Sequence, residues 1–371
     1  MKRMISNTLK LVFILSFLPG LFQNVSAQLF ESIFDPEHYI VYRCSIPPQI
    51  DGIINENQWL AVPWSSAFVD IEGRSFPKPE FDTHVKMIWD DKCLYIAGRL
   101  YDPNIWATLT KRESVIFEDN DFEVFIDPNG DTHEYMELEI NAFGTEWDLF
   151  MNKPYRDGGI PDNEWNFTGI KSSVKVYGKI NRATGKDSCW TVEIALPWKS
   201  MIPFSNSKKI PVDGEQWRMN FSRVQWKTKI KDFEYHKERG KNGKPLPEMN
   251  WTWTPQNAIA MHQPETWGYV QFSMIIAGEG ISDYIENQDN KIIWSLWQVY
   301  YMFQRYPHNF KKAEETLNEL KNRKSASTID FKPVKLGTKQ DDYLARAPST
   351  VQNGYWYIRK DGKVWFKPSK K

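Results

Sequence analysis

Residues 119–148, DNDFEVFIDPNGDTHEYMELEINAFGTEWD, constrain the fold more than any other stretch. Phe122, Val124 and Ile126 alternate with Asp121, Glu123, Phe125 and Asp127, and Met136, Leu138 and Ile140 alternate with Tyr135, Glu137, Glu139 and Asn141. A period of two over both runs predicts two strands, each with one buried and one largely polar face. Asp127-Pro-Asn-Gly-Asp131 between them is turn chemistry, so the runs form an antiparallel hairpin. If Asp127 stands opposite Tyr135, Glu123 faces Glu139 and Asp121 faces Asn141 on the polar side. Like charges directly opposed on a sheet cost up to about 1 kcal/mol. The pair therefore invites an arginine, a metal ion or a hydroxyl-rich ligand; the plainer alternative is two carboxylates pointing into water.

The same patterning recurs on either side of this hairpin. Val85, Met87 and Trp89 alternate up to a turn at Asp90-Asp91-Lys92, and Leu94, Ile96 and Leu100 continue as the inward row of the next strand. Further strands are marked by Val174 with Val176, by Trp190, Val192, Ile194 and Leu196, by Trp217, Met219 and Phe221, and by Val270 and Phe272. The segments 103–118 and 152–168 read as loops, and Lys227 to Lys244 as a mobile basic loop. Many short strands with almost no helix predict an all-β, antiparallel β-sandwich of immunoglobulin or jelly-roll type. After about residue 283 the period changes: Ile292, Leu296, Val299 and Phe303 recur at helical spacing, as do Phe310, Ala313, Leu317 and Leu320, with Asn309 as the cap of the second helix. The expected organisation is a sandwich over 28–280, a helical hairpin over 281–325, and over 326–371 a polar linker with a terminal β-hairpin turning at Asp361-Gly362.

Residues 1–27 combine Lys2, Arg3 and Lys10 with an apolar stretch from Leu11 to Phe22 and a small-residue end, Val25-Ser26-Ala27. This is the pattern of a signal peptide cut before Gln28, and it predicts a secreted, periplasmic or surface protein with no later membrane span. Loss of those three basic residues leaves 44 basic against 47 acidic residues, which does not favour nucleic acid. Cys44, Cys93 and Cys189 allow at most one intramolecular disulfide. No CxxC, HExxH, GxSxG or GxGxxG occurs, so the common metalloprotease, serine-hydrolase and dinucleotide signatures are missing.

The 17 tryptophans bear on function. Most must pack a core, but Trp106, Trp147, Trp165, Trp251 and Trp253 lie among polar and turn residues, where flat rings can hold a sugar face. No cofactor is required. Asp127, Asn129 and Asp131 around Gly130 are compatible with a structural calcium ion but lack the distal bidentate Glu, and an ordinary turn is the simpler reading. Met87, Met136, Met151, Met261 and His262 are haem-ligand types, although Met at such positions usually fills a core.

The order of motifs resembles the family 9 carbohydrate-binding modules and their DOMON-like relatives. The resemblance rests on Ile50-Asp-Gly with Glu56 and Trp59, Trp89-Asp-Asp-Lys-Cys-Leu-Tyr-Ile96 with Asp102, Asp121-Phe-Glu-Val-Phe-Ile-Asp127, Trp190-Thr-Val-Glu-Ile-Ala-Leu-Pro-Trp198, Gly214 to Arg223 and Pro264-Glu-Thr-Trp-Gly268. It implies a β-sandwich that binds poly- or oligosaccharide through a Glu matching Glu123, with an Arg on the neighbouring strand and two tryptophans clamping the sugar. Here Phe117 stands at the first clamp position, Glu139 at that of the Arg, and Met261 near the second clamp position, while Asn220 and Ser222 fall at further polar positions. The expected saccharide site is therefore Phe117, Glu123, Glu139, Asn141, Asn220 and Ser222, with Trp165 or Trp253 as a relocated stacking ring. Two alternatives stand beside it: a glycoside hydrolase using Glu123 and Glu139, whose carboxyls could approach the roughly 5 Å separation of a retaining pair, and a non-catalytic scaffold with a degenerate sugar site.

Overall fold

The computed structural model describes residues 36–183, 185, 187–306, 309–322, 330–338 and 340–370. The leader and its cleavage point before Gln28 lie outside these residues. Among the described residues fifteen strands precede the helical segment: β1 (His38–Arg43), β2 (Val69–Asp70), β3 (Thr83–Trp89), β4 (Cys93–Tyr101), β5 (Asp121–Asp127), β6 (Tyr135–Asn141), β7 (Glu146–Met151), β8 (Pro161–Asp162), β9 (Lys171–Tyr177), β10 (Cys189–Pro197), β11 (Gln216–Gln225), β12 (Thr228–Lys231), β13 (Glu234–Lys237), β14 (Met249–Thr252) and β15 (Gly268–Ile276). Thirteen of them join one sheet, eleven along the path β8-β7-β6-β5-β11-β15-β1-β3-β4-β10-β9, with β14 off it bridging β11 and β2. The path doubles over, so the β5 half and the β4 half become the two layers of a sandwich.

Period-two residues fill the space between the layers. Val85, Met87 and Trp89 from β3, Phe122, Val124 and Ile126 from β5, Met136, Leu138 and Ile140 from β6, and Trp217, Met219 and Phe221 from β11 share one buried cluster. Gly98 on β4 admits the facing layer closely: a Cβ there would lie 3.2 Å from Phe122 of β5, and 3.0 Å from Val192 on the neighbouring strand. Met87 and Met136 are core filler of this kind, fully buried among hydrocarbon. One departure from the expected purely antiparallel order is β1, which runs parallel to both β15 and β3.

The central hairpin has the expected register, with Glu123 opposite Glu139 and Asp121 opposite Asn141. Its turn is held from within: Asp127 accepts from the backbone N–H of Gly130 and of Thr132, Asn129 from Asp131, and Asp131 from His133. The other carboxylate oxygen of Asp131 lies 3.0 Å from Lys363. These oxygens are thus engaged as in an ordinary turn.

The basic stretch 227–244 is ordered where the sequence suggests a loop. β12 and β13 pair as a separate hairpin, turning at Asp232 and Phe233 with φ of 53° and 64°. Two successive left-handed residues match a primed turn, which Gly or Asn normally announces; the Asp-Phe pair gives no such signal.

Helices α2 (Asn290–Arg305) and α3 (Phe310–Asn322) follow the sandwich, whose only α-helix is the short α1 (Asn57–Leu60) among the described residues. Asn309 caps α3, its side chain accepting from the Lys312 N–H. The segment expected to be a polar linker contributes β16 (Lys335–Leu336) and β17 (Ala345–Pro348), which join β18 (Gly354–Ile358) and β19 (Val364–Pro368) in a four-stranded sheet. Leu296, Val299 and Phe303 of α2 pack with Leu344, Ala345, Ala347, Ile358 and Val364, so the helices and the terminal hairpin share one core. This unit is tied to the sandwich through Arg156, whose guanidinium meets Glu265 at 2.6 Å and lies over the rings of Trp297 and Tyr300.

Candidate functional site

On β5, β6 and β11 the residues facing away from the main core are Asp121, Glu123 and Phe125, Tyr135, Glu137, Glu139 and Asn141, and Asn220 and Ser222. The expectation of a solvated polar face fails here. Phe125, Tyr135, Leu149 and Met151 form a second apolar patch covered by Ile71, Met261 and Trp267. The covering chain, 253–267, satisfies its own polar groups: Gln256 donates to the Thr254 carbonyl and accepts from the Thr266 hydroxyl. The acids of the same face are buried as well, Glu123 only 5% and Glu139 only 2% exposed, with Asp121 at 0% and Glu137 at 4%.

Four buried carboxyl groups are therefore gathered on one sheet face. One oxygen each from Asp121, Glu123 and Glu139 lies within 4.8 Å of the others. Burial raises all four pKa values, with Glu123 pushed up to about 7. For Asp121, Glu137 and Glu139 the charge of Glu123 adds to the effect of burial. Fixed partners are few. Phe117 donates its backbone N–H to Glu139 at 2.9 Å, and Val224 donates its own to Asp121 Oδ1 at 3.0 Å. His262 Nε2 lies 3.6 Å from Glu137, and burial lowers the imidazole to about 3, so it is neutral near neutral pH. Among the described residues no lysine or arginine forms an ion pair with any of the four.

Aromatic side chains rim the cluster. Phe117 is 39% exposed and its ring centroid lies 6.1 Å from that of Trp147, which is directly across from Glu139 on β7. Tyr155 is 47% exposed and meets His262 edge-on at 4.5 Å. The charges of Glu137 and Glu139 add to burial in raising the Tyr155 hydroxyl, which places that ring beside them.

The structure thus brings Phe117, Glu123, Glu139 and Ser222 together, Ser222 standing across from Glu123 on β11. Asn141 and Asn220 share the same face but are engaged as fasteners. Asn141 donates to the Leu109 carbonyl and to Asp119 and accepts from Phe143 and Thr145. Asn220 exchanges two hydrogen bonds with Thr254 and accepts from Phe221. Trp165 and Trp253 are placed elsewhere. Trp165 packs on Phe150 and Phe167 at the rim of the main core, and Trp253 is 1% exposed against Phe221. Besides Phe117, the rings that reach the cluster are Trp147, one of the five tryptophans the sequence marks as able to hold a sugar face but not one of the two named as the relocated stacking ring, and Tyr155, which lies outside the expected site. Trp147 had a readable signal, since its alternation on β7 puts it opposite Glu139; Tyr155 had none, because its loop follows no period.

A hollow of about 700 Å³ opens beyond Glu118, lined by Trp106, Thr108, Tyr235, Lys237 and Arg239 among others. Lys237 closes one wall, its ammonium 3.4 Å from the Trp226 ring centroid and 3.1 Å from Glu118. Cys44, Cys93 and Cys189 are all free thiols.

The model of the carbohydrate family 9 binding domain-like family matches residues 50–273. Two relatives are large enzymes of which this chain covers a small part. It is 31% identical over 128 residues to endo-1,4-beta-xylanase A of Thermoanaerobacterium saccharolyticum, covering 34% of this chain and 9% of that protein. It is 30% identical over 156 residues to exoglucanase XynX of Acetivibrio thermocellus, covering 42% of this chain and 12% of that protein. Among solved structures, a family 9 carbohydrate binding module from Caldicellulosiruptor kristjanssonii in complex with glucose aligns with 67% of this chain and 100% of its own, at 17% identity and a TM-score of 0.40. A likeness that distant carries no residue-by-residue correspondence.

Proposed function

The chain belongs to the carbohydrate family 9 binding domain-like family, and from that premise we propose that it is an exported carbohydrate-binding protein acting in polysaccharide breakdown. The observation that carries the reading is the pairing of accessible rings with buried acids: the exposed Phe117 and the half-buried Trp147 lie beside Glu139, whose strand neighbour is Glu123. A pyranose laid on the Phe117 ring would direct hydroxyls toward carboxyl oxygens, combining stacking with strong charge-assisted hydrogen bonds. The names of the xylanase and exoglucanase relatives point to β-1,4-linked xylan or glucan as the class to try first. Export rests on the leader pattern of residues 1–27, and among the described residues no helix is long and apolar enough to cross a membrane.

Geometry disfavours hydrolysis by the same carboxyls. A retaining pair flanks the scissile bond, with the sugar between the two groups. Glu123 and Glu139 instead project side by side from adjacent strands and the same sheet face, both buried, rather than from two sides of an open cleft. Titration calorimetry of the mature chain against xylo- and cello-oligosaccharides, with affinity electrophoresis on soluble xylan and glucan, tests the proposal. Retardation that weakens in Phe117→Ala supports it. A folded wild-type sample giving neither heat nor retardation with any glycan would overturn it.

A further inference from the structure

We propose that Asp121, Glu123 and Glu139 form a binding site for a divalent metal ion, of which calcium is the best match. One oxygen from each of the three lies within 4.8 Å of the others. That spacing is about the diameter of a calcium coordination sphere, whose metal–oxygen bonds are about 2.3–2.6 Å. Every donor is a hard carboxylate oxygen, which suits calcium over zinc. Magnesium, which holds its waters and needs a tighter octahedron, suits a buried set of protein oxygens less well.

A second observation, separate from the gathering of acids, points the same way. Asp121 is fully buried; its Oδ1 is held by the Val224 N–H, whereas its Oδ2 has no hydrogen-bond partner. Glu137 Oε2, next along the same face, is likewise buried without a hydrogen-bond donor, with the neutral His262 3.6 Å away. A buried carboxylate oxygen without a donor is costly, and nothing among the described side chains supplies the missing positive charge. One divalent ion would satisfy the orphaned oxygen and offset the mutual repulsion together. The Phe117 N–H fixes Glu139, and the Val224 N–H fixes Asp121, before any ion arrives, so two of the three ligands are pre-positioned.

The proposal shares Glu123 and Glu139 with the saccharide reading but does not depend on it, since its test needs no sugar. Mature chain stripped with chelator is titrated with CaCl2 at pH 7.5 and followed by thermal unfolding; terbium emission sensitised by Trp147 gives a direct binding signal. CaCl2 should raise the melting temperature at millimolar or lower concentration, with MgCl2 much weaker. In the Asp121→Asn/Glu139→Gln double variant the calcium response and the terbium signal should be lost, while the metal-free melting temperature stays at or above wild type because two repelling charges are gone. Should the double variant misfold, Glu123→Gln should shift the calcium midpoint by at least about tenfold. Absence of any calcium shift and of terbium emission in wild type would overturn the site and leave protons as the balancing charge. A response of full size in a folded double variant would equally overturn it, placing the metal elsewhere.

Discussion

Replacing Glu139 with Gln should stabilise the metal-free protein at pH 8. Its carboxyl oxygen lies within 4.8 Å of an oxygen on Asp121 and of one on Glu123. Two unit charges at that separation repel by about 3 kcal/mol at an effective dielectric constant of about 20. Two such contacts do not simply add, because the raised pKa values mean that the cluster retains protons and has already shed part of the repulsion. Gln also keeps an oxygen for the Phe117 N–H but forfeits the charge assistance, a loss of roughly 1 kcal/mol. The net expectation is a gain of about 1–3 kcal/mol, read as the shift in urea midpoint at constant m-value in the presence of chelator. The pH dependence gives the control. The folded-state pKa of Glu123 is pushed up to about 7 by burial. A carboxyl raised in this way contributes stability that is fully present below the ordinary carboxylate range and is lost as pH rises toward 7. The advantage of Glu139→Gln should therefore be large at pH 8 and nearly absent at pH 4.5. A variant that is less stable than wild type at pH 8, or that shows the same difference at both pH values, would refute the view that the cluster is an electrostatically stressed one.

Other expectations follow from the packing. Phe117→Ala and Trp147→Ala should each weaken glycan binding about tenfold, roughly 1.4 kcal/mol, with unchanged unfolding curves; wild-type affinity in both variants, measured by calorimetry, would move the sugar away from this rim. Arg156→Ala leaves the buried Glu265 carboxylate, which also accepts from Tyr301, without its cation. The cost should be about 3–5 kcal/mol, with limited proteolysis cutting first between the sandwich and the helical unit. Gly268→Ala would place a Cβ 2.4 Å from the Trp253 ring and 2.9 Å from the Glu37 carbonyl oxygen. We expect a loss of at least about 1–3 kcal/mol from overpacking, visible by thermal melting as lower stability with no change in fold.

Much of this protein is local in origin, and local information survives in a linear sequence. Alternation of Phe122, Val124 and Ile126 requires a strand whichever partner it finds, and the turn at Asp127 to Asp131 sets which residue opposes which, so Glu123 opposite Glu139 could be read before any coordinates. Helical spacing in α2 identified its buried stripe in the same way. What remained undetermined depends on residues far apart in the chain. Whether the acidic face meets water or a lid depends on the segment 253–267 folding back over Phe125 and Tyr135, and no pattern within residues 119–148 encodes that. Trp253 and Trp147 both sit among polar neighbours, yet one packs under the sheet on Phe221 and the other rims the acids. Exposure is a property of the assembled surface rather than of the residue. Periodicity and turn chemistry decided the strands and their register; only the tertiary fold, by drawing distant loops over one sheet face, turned a row of charged residues into a buried cluster short of cations.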